Sequence, residues 1–279
     1  MSHTLIIAGN GYLGRRIGHQ ALAAGWNTAP LSRSPDPGSI SCDITARGDL
    51  LRLRESIDDD PTAIVHCASS GRGGPDAYRA VFLDGTRNLL ETFPDALLLF
   101  VSSTSVYGQT DGSVVTEASP TDPERETSRI LLEAEDLVME SDGIVARLAG
   151  IYGPGRSVIL KRFLDGTAAI EEDGRRLLNQ IHRDDAADAV LHLLTREPPA
   201  RREVFNVSDS NPLHQAACYQ SLTKLFDLPL PPTRPRNLHR KRAWTHKRVS
   251  NAKLLSTGWI PAHPSFLDAA LDIAETLDP

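Results

Sequence analysis

Short runs of apolar and β-branched residues alternate along this chain with segments whose apolar residues recur every three or four positions. The short runs predict β-strands, and the recurring pattern predicts amphipathic helices. The predicted strands are residues 4–8, 27–31, 63–67, 97–102 and 144–148, and the predicted helices are residues 12–24, 49–57, 76–93, 128–141 and 184–195. This alternation predicts an α/β fold with a doubly wound parallel sheet of the Rossmann type.

A smaller C-terminal lobe is expected because the alternation weakens after residue 155. After residue 207 the chain is rich in proline, and we expect it to be irregular until an amphipathic run at residues 266–277. Residues 179–195 have the pattern of a strand end and a sheet-packing helix. The predicted domains are therefore a dinucleotide-binding domain of residues 1–155 plus 179–207, and a substrate-binding lobe of residues 156–178 plus 208–279.

A glycine-rich turn lies directly between the first predicted strand and the first predicted helix. It reads Gly9-Asn10-Gly11-Tyr12-Leu13-Gly14, a GxGxxG pattern. In this context the first two glycines allow a tight turn and a close approach to a pyrophosphate, and the third allows close helix packing. The motif predicts a dinucleotide site, and the alternative is a glycine-rich turn that binds no ligand.

The second predicted strand indicates which dinucleotide binds. No acid lies between residues 25 and 35 to bind the adenosine ribose, and Arg33 stands there instead. A guanidinium binds a 2′-phosphate through forked, charge-assisted hydrogen bonds. The sequence therefore favours NADP over NAD. The alternative is a solvated loop arginine, since Asp36 lies three residues further on.

Further motifs resemble the extended short-chain dehydrogenases/reductases, the group of NAD(P)-dependent epimerases and dehydratases. The resemblance is carried by the glycine turn, Asp43-Ile44, His66-Cys67-Ala68, residues 84–90, residues 101–108, Arg147, residues 152–155 and residues 181–186. It implies that Asp43, Ile44 and Ala68 lie near the cofactor. It also implies that Ser103 hydrogen-bonds the reacting oxygen of the substrate, although a serine that only ends its strand is the alternative.

The chain departs from this family at its Tyr-x-x-x-Lys pair, where Arg125 and Arg129 stand instead. The tyrosine moves a proton during hydride transfer, and an arginine with a pKa above about 12 does not readily do so. The chain is therefore identified as an atypical member. Arg125 is expected to bind substrate and Arg129 the cofactor ribose, unless both belong to a solvated helix start. Tyr107 is a candidate substitute acid, although a tyrosine in this segment is ordinarily a packing residue.

The candidate substrate-binding residues of the second lobe are Tyr152, His182 and Arg248. His182 titrates near neutral pH in its ordinary state, but it lies where the family usually braces the junction between lobes. By resemblance, Arg248 stands near an arginine that contacts substrate phosphate. The surrounding basic residues, with no acid between them, are Arg234, Arg236, Arg240, Lys241, Arg242, Lys247 and Arg248. This segment predicts an anion-binding surface, with a solvated loop or a nucleic-acid site as alternatives.

Composition narrows the class of protein further. The 279 residues are 40% hydrophobic and 24% charged with a net charge of −6, which predicts a folded protein and disfavours nucleic acid as a partner. The three cysteines lack metal-ligand spacing, so we expect neither disulfides nor a metal site. No membrane span or signal peptide is evident, so a soluble cytoplasmic protein is expected. The resemblance implies a possible homodimer through the helices at residues 76–93 and 128–141.

These patterns together predict an NAD(P)-dependent oxidoreductase or epimerase-like enzyme that acts on a small anionic metabolite in the cleft between the lobes. The loss of the tyrosine and the lysine leaves an alternative from another class. That alternative is a catalytically silent NADP-binding sensor or interaction protein.

Overall fold

The computed structural model of this protein describes residues 3–34, 36–57, 59–71, 73–236 and 244–277. The strands are β1 (Thr4–Ala8), β2 (Asn27–Ser32), β3 (Ile40–Ser41), β4 (Ala63–His66), β5 (Leu97–Ser103), β6 (Val114–Val115), β7 (Ile144–Leu148), β8 (Gly150–Tyr152), β9 (Ile170–Glu171), β10 (Leu177–Leu178), β11 (Gln180–His182), β12 (Glu203–Val207), β13 (Leu213–His214), β14 (Thr233–Arg234) and β15 (Arg248–Val249). The helices are α1 (Gly14–Ala23), α2 (Arg47–Ser56), α3 (Pro75–Tyr78), α4 (Gly85–Thr92), α5 (Glu126–Glu140), α6 (Val158–Leu164), α7 (Arg183–Thr195), α8 (Gln215–Phe226), α9 (Ala252–Leu255) and α10 (Ala270–Ala274).

The main sheet has the strand order β12-β7-β5-β4-β1-β2-β3. Its central strands pair in parallel, with Ile6 of β1 opposite Ala29 of β2 and Ile64 of β4. β1 is buried from residue 5 to residue 8, as a parallel strand in a sheet flanked by helices must be. The predicted Rossmann-type α/β fold is confirmed, and each predicted strand ends within one residue of the observed one.

The predicted helix at residues 76–93 is interrupted by a π-helix at Arg79–Asp84, which joins α3 to α4. His66 lies against this irregular turn, and its ring Nε2 hydrogen-bonds the Val81 carbonyl oxygen at 3.1 Å. The same ring packs on Phe82 and Phe100, with centroids 6.2 Å and 5.3 Å away. His66 of β4 therefore supplies a hydrogen-bond partner to a carbonyl oxygen within the π-helix.

The expectation that residues 208–265 are irregular is wrong, because α8 occupies twelve of them. Cys218, Tyr219 and Leu222 are buried along one side of this helix. The spacing of these three residues is typical of one helix face. The prolines that follow the helix in the sequence led to the expectation of irregular structure. Asp227 ends the helix in the left-handed conformation with φ of 51°.

The chain divides into two compact units. The first comprises Met1–Val106, Asp122–Arg147 and Ala187–Phe205, and the second comprises Tyr107–Thr121, Leu148–Ala186 and Asn206–Pro279. The second unit has its own core, which includes the buried residues Tyr152, Leu160, Phe163, Cys218, Tyr219, Leu222, Phe266 and Ile273. These bounds differ from the predicted lobes at residues 107–121, 148–155, 179–186 and 206–207. The division into a cofactor domain and a substrate lobe stays a prediction. Within the described ranges, every helix falls short of the length and apolar character that a membrane span requires.

Candidate functional site

The glycine turn follows β1 and is held against the end of β2. The backbone N–H groups of Gly9 and Asn10 both donate to the Leu31 carbonyl oxygen, at 3.2 and 3.0 Å. Gly9 has a φ of 119°, and a Cβ on it would lie 2.5 Å from the Ala68 nitrogen. A Cβ on Gly14 would lie 1.9 Å from the Gly9 carbonyl oxygen. Only glycine fits these two positions, and the predicted residue Ala68 lies directly against the turn.

Gly11 differs from the other two glycines because a Cβ built on it would meet nothing within 4 Å. Tyr12 is half-buried and Leu13 is buried, so the turn is anchored on one side and open at Gly11. Among the described residues, no side chain caps the start of α1. Open space beside the backbone amides at a helix N-terminus is what a pyrophosphate requires. The residues present therefore fit the phosphates of a dinucleotide.

A charged network surrounds this turn. The Asp36 carboxylate accepts hydrogen bonds from the Asn10 side chain and from the Arg15 guanidinium, both at 2.8 Å. Arg15 also donates through Nε to the Asn10 carbonyl oxygen at 3.2 Å. Arg33 is exposed in the loop between β2 and Asp36. The sequence identified Arg33 but not this network, since Asn10 and Asp36 lie 26 residues apart.

Asp43 and Ile44, expected near the cofactor, form a turn after β3. The Asp43 carboxylate accepts from the Thr45 backbone N–H at 2.9 Å and from its hydroxyl at 2.8 Å. Ile44 is buried, and its carbonyl oxygen accepts from the Asn88 side chain at 3.0 Å. These contacts fix the turn. A cofactor contact at either residue stays a prediction.

Ser103 is the last residue of β5, which neighbours β4 in the main sheet. Its Oγ accepts a hydrogen bond from the Ser105 backbone N–H at 3.1 Å. A serine hydroxyl that accepts one bond is still able to donate one. Because the carboxyl ends of parallel strands meet at one edge, Ser103 lies at the same edge of the sheet as the glycine turn.

A buried ion pair lies beneath this edge and was not identified from the sequence. Arg147 of β7 binds the Glu135 carboxylate of α5 through Nε at 3.0 Å and Nη2 at 2.6 Å. Ser102 of β5 also donates to this carboxylate, and all three side chains are buried. The forked pairing holds β5, β7 and α5 together next to Ser103.

Arg125 and Arg129, predicted to stand in place of the family's Tyr-x-x-x-Lys pair, lie at the start of α5. That replacement stays a prediction. Arg125 precedes the helix in an extended conformation, and Arg129 is exposed in its first turn. The Arg129 guanidinium donates to the Pro123 carbonyl oxygen at 3.2 Å and to that of Glu124. Arg129 therefore holds the loop before α5 in place through these hydrogen bonds. Its binding of a cofactor ribose stays a prediction, as does substrate binding by Arg125.

In the second unit, Tyr152 of β8 and His182 of β11 are partners in a parallel strand pair. Both are buried, and their rings meet edge to face with centroids 5.3 Å apart. The Tyr152 hydroxyl donates to the Ser265 carbonyl oxygen at 3.4 Å, and burial raises its pKa. Burial and the neighbouring His263 lower the pKa of His182 to about 4, so this imidazole is neutral near pH 7.

His182 also belongs to a group of side chains that could hold a metal ion, with Asp185 and His263. The two imidazole rings stack with centroids 3.8 Å apart. Stacked rings direct their in-plane lone pairs side by side rather than at one point, which disfavours joint coordination. The Asp185 carboxylate instead accepts from His263 Nδ1 at 3.1 Å and from the backbone N–H groups of Ala262 and His263. These contacts favour a bracing role.

Tyr107 is fully buried, and its hydroxyl donates to Asn206 Oδ1 at 2.9 Å. Lys247 is also buried and donates through Nζ to the Tyr107 carbonyl oxygen. Burial and the neighbouring Arg176 lower the pKa of Lys247 to about 8. Because the tyrosine hydroxyl is bonded inside the core, its position favours packing over proton transfer.

The described residues of the basic segment, 234–236 and 244–248, differ in exposure and in partners. Arg234 and Arg248 are exposed, whereas the Arg236 guanidinium lies 3.6 Å from the Glu172 carboxylate and 4.4 Å from the centre of the Trp244 ring. The part of the segment outside the described residues contains Arg240, Lys241 and Arg242. Substrate binding by Arg248 stays a prediction.

A parallel sheet with a GxGxxG turn at the carboxyl end of its first strand defines a dinucleotide-binding α/β protein. The sequence profile of the NAD dependent epimerase/dehydratase family matches residues 4–208, and the chain belongs to this family. It is 30% identical over 246 residues to Protein YeeZ of Escherichia coli (strain K12), which covers 81% of this chain and 84% of YeeZ.

Two further comparisons extend this result. The dTDP-6-deoxy-L-talose 4-dehydrogenase (NAD(P)(+)) of Kitasatospora kifunensis is 28% identical over 217 residues, 67% of this chain and 68% of the relative. The crystal structure of a Thermus thermophilus UDP-glucose 4-epimerase in complex with NAD has a TM-score of 0.80 at 19% identity, over 98% of both chains. The structural likeness shows a shared fold.

Proposed function

We propose that this protein is an NAD(P)-dependent oxidoreductase or epimerase-like enzyme that acts on a small anionic metabolite. The observation that carries the proposal is the open space at Gly11, beside the backbone amides at the start of α1. Membership of the epimerase/dehydratase family supports it. The relatives named for dTDP- and UDP-sugars act on anions, which agrees with an anionic substrate.

We further propose NADP as the preferred cofactor. A bound nicotinamide supplies or accepts the hydride, and the protein supplies binding and orientation. In this proposal the glycine turn holds the pyrophosphate, and Arg33 binds the 2′-phosphate. The remaining proposed cofactor contacts are Asp43, Ile44, Ala68 and Arg129.

Ser103 is the proposed catalytic residue and hydrogen-bonds the reacting group of the substrate. Its hydroxyl donates to a carbonyl oxygen or accepts from the N–H of a protonated imine. Tyr107, the other catalytic candidate, has its hydroxyl bonded to Asn206, which favours Ser103 in this role. Since arginine replaces the family's acid, the substrate carries its own proton, as a protonated imine does. The proposed substrate contacts are Arg125, Tyr152, His182 and Arg248.

Dinucleotide titration tests the proposal. Following intrinsic tryptophan fluorescence, we expect NADPH to bind at least about tenfold more tightly than NADH, a difference of about 1.4 kcal/mol. Arg33→Ala removes the forked contact and is expected to abolish this preference. Arg201→Ala is a matched control, because Arg201 is exposed and precedes β12, an edge strand that β7, β5 and β4 separate from β1. Equal affinities in the wild type would defeat the NADP assignment, and no binding of either dinucleotide would defeat the function.

A second candidate function is a catalytically silent NADP-binding sensor. The observation that favours it is the side chain of Arg129, which donates to loop carbonyl groups at the position of the family's lysine. The two candidates share the dinucleotide site and differ in whether hydride is transferred.

A further inference from the structure

Opposite charges lie close together where the glycine turn meets the loop after β2. The Asp36 carboxylate accepts from the side chain of Asn10, a residue inside the turn, and from the Arg15 guanidinium in the first turn of α1. One positively charged side chain, Arg15, thus pairs with this carboxylate, and a second, Arg33, is exposed three residues before Asp36 in the chain.

The position of this network relates it to the choice of cofactor. In dinucleotide-binding sheets, the end of the second strand is where the ribose hydroxyl of NAD or the 2′-phosphate of NADP is recognised. Asp36 lies four residues after β2, and its two partners lie in the glycine turn and at the start of α1. A 2′-phosphate bound at Arg33 would therefore meet donors that Asp36 already occupies.

The contact between Asp36 and Arg15 is exchangeable. The Arg15 side chain is 63% exposed and that of Asp36 is 23% exposed, and ion pairs this accessible to water are weak. A phosphate carries more charge than a carboxylate and accepts forked hydrogen bonds from a guanidinium. The Arg15 guanidinium is therefore able to leave Asp36 and bind a phosphate instead. The negative charge of Asp36 then remains next to the bound phosphate.

We propose that Asp36 is a specificity-determining residue that competes with the 2′-phosphate of NADP for Arg15 and Asn10. Arg15 then acts as a second phosphate-binding arginine beside Arg33, and Asp36 limits the preference for NADP over NAD. NAD has a neutral hydroxyl in place of the phosphate, so its binding is insensitive to the charge of Asp36. This inference rests on the proposed NAD(P) site.

Dissociation constants for NADPH and NADH test the inference without any substrate. In Asp36→Asn the amide keeps the size of the side chain and still accepts from Asn10, but it removes the negative charge. We expect NADPH to bind about fivefold more tightly and NADH to change by less than about twofold. Arg15→Gln is expected to weaken NADPH binding about fivefold, and the gain from Asp36→Asn is expected to shrink in the double variant.

The controls separate this effect from a general change in charge or fold. Asp142→Asn removes an acid that pairs with Arg202 at 3.3 Å and precedes β7, so it is expected to leave both affinities unchanged. Added KCl is expected to reduce the gain in NADPH affinity, because screening weakens repulsion between exposed charges. Thermal unfolding checks that each variant is folded, and Asp36→Ser serves as a second neutral variant.

Three results would overturn the inference. Unchanged NADPH affinity in both neutral variants would show that Asp36 does not compete with the phosphate. Weaker NADH binding in Asp36→Asn would instead make Asp36 the acid that binds the ribose hydroxyl. If the wild type binds neither dinucleotide, both the proposed function and this inference fail. The first two results leave the proposed function intact.

Discussion

Ser103 and Tyr107 lie close together in the sequence, but their hydroxyl groups have different hydrogen-bond partners. The Ser103 hydroxyl, at the carboxyl end of β5, accepts from a backbone N–H and retains a proton to donate. The Tyr107 hydroxyl donates its proton to Asn206 within a fully buried environment. The Ser103 hydroxyl is therefore able to donate to a further acceptor, whereas the Tyr107 proton is already used in a buried hydrogen bond.

Substitution of these two residues tests their roles. We expect Ser103→Ala to lower turnover of the substrate by about 100-fold, because it removes the hydrogen bond to the reacting group. Tyr107→Phe is expected to keep turnover within a few-fold while destabilising the fold by about 1 kcal/mol through the lost bond to Asn206. NADPH oxidation and urea unfolding measure the two effects. An inactive tyrosine variant beside an active serine variant would reverse the assignment.

Residue-level prediction from the sequence succeeded where a local pattern fixes the geometry. The turn at Gly9 and Gly14 was predictable because a strand and a helix flank it, and only glycine fits the observed contacts. The bonds of Asp36 to Asn10 and Arg15 were not predictable, since they join residues 26 and 21 positions apart. Such contacts depend on how the chain folds back, which no spacing rule describes.

Regular elements followed the hydrophobic pattern, and the irregular ones did not. The predicted strands match β1, β2, β4, β5 and β7. β1, β4, β5 and β7 are largely buried, as parallel strands with apolar runs are, whereas only Leu31 of β2 is buried. The π-helix before α4 was not predictable from the apolar pattern, and its Val81 carbonyl oxygen has a partner, His66 of β4, that lies 15 residues away in the sequence. α8 was missed because the prolines of this part of the sequence led us to expect irregular structure, although its buried residues are spaced as on one face of a helix.

The contact between β4 and the π-helix predicts a pH dependence of stability. Burial lowers the pKa of His66 to about 4, whereas the unfolded chain has the ordinary value of about 6.5. As the pH falls through this interval the unfolded state binds the proton first, so stability is lost between about pH 6.5 and pH 4. We expect His66→Phe to reduce the slope of unfolding free energy against pH there. Urea titrations at several pH values measure it.

A matched control makes this test specific. His19→Phe introduces the same aromatic ring at an exposed position of α1 and is expected to retain the slope of the wild type. An undiminished slope in His66→Phe would assign the acid sensitivity to other groups, of which His182 in the second unit is the first candidate. The double variant His66→Phe/His182→Phe would then distinguish the two units.

At the scale of the whole molecule, each compact unit has its own buried polar chemistry. The first unit contains the glycine turn and the forked pair of Glu135 and Arg147. The second contains the stacked histidines and Asp209, whose pKa burial raises to about 7. Because a raised carboxyl pKa opposes stability as the pH rises from about 4 to 7, Asp209 acts in the opposite direction to His66 and His182. A homodimer and the substrate lobe both stay predictions.

The enzyme and sensor hypotheses make different predictions for the intact protein. Under both hypotheses NADPH binds the folded chain and not the unfolded one. At 100 times its dissociation constant, NADPH is therefore expected to raise the free energy of unfolding of the protein by about 2.7 kcal/mol. Only the enzyme transfers hydride. We therefore expect deuterium from NADPH labelled at the reactive carbon to appear in the alcohol or amine formed from an anionic carbonyl or imine substrate, measured by mass spectrometry. This transfer is expected to fall about 100-fold in Ser103→Ala. The Arg33→Ala variant is the control for cofactor binding, since it is expected to lose the NADPH preference while retaining Ser103.

Stabilisation by NADPH without deuterium transfer to any anionic carbonyl tested, together with an NADPH-dependent change in affinity for a partner protein, would favour the sensor.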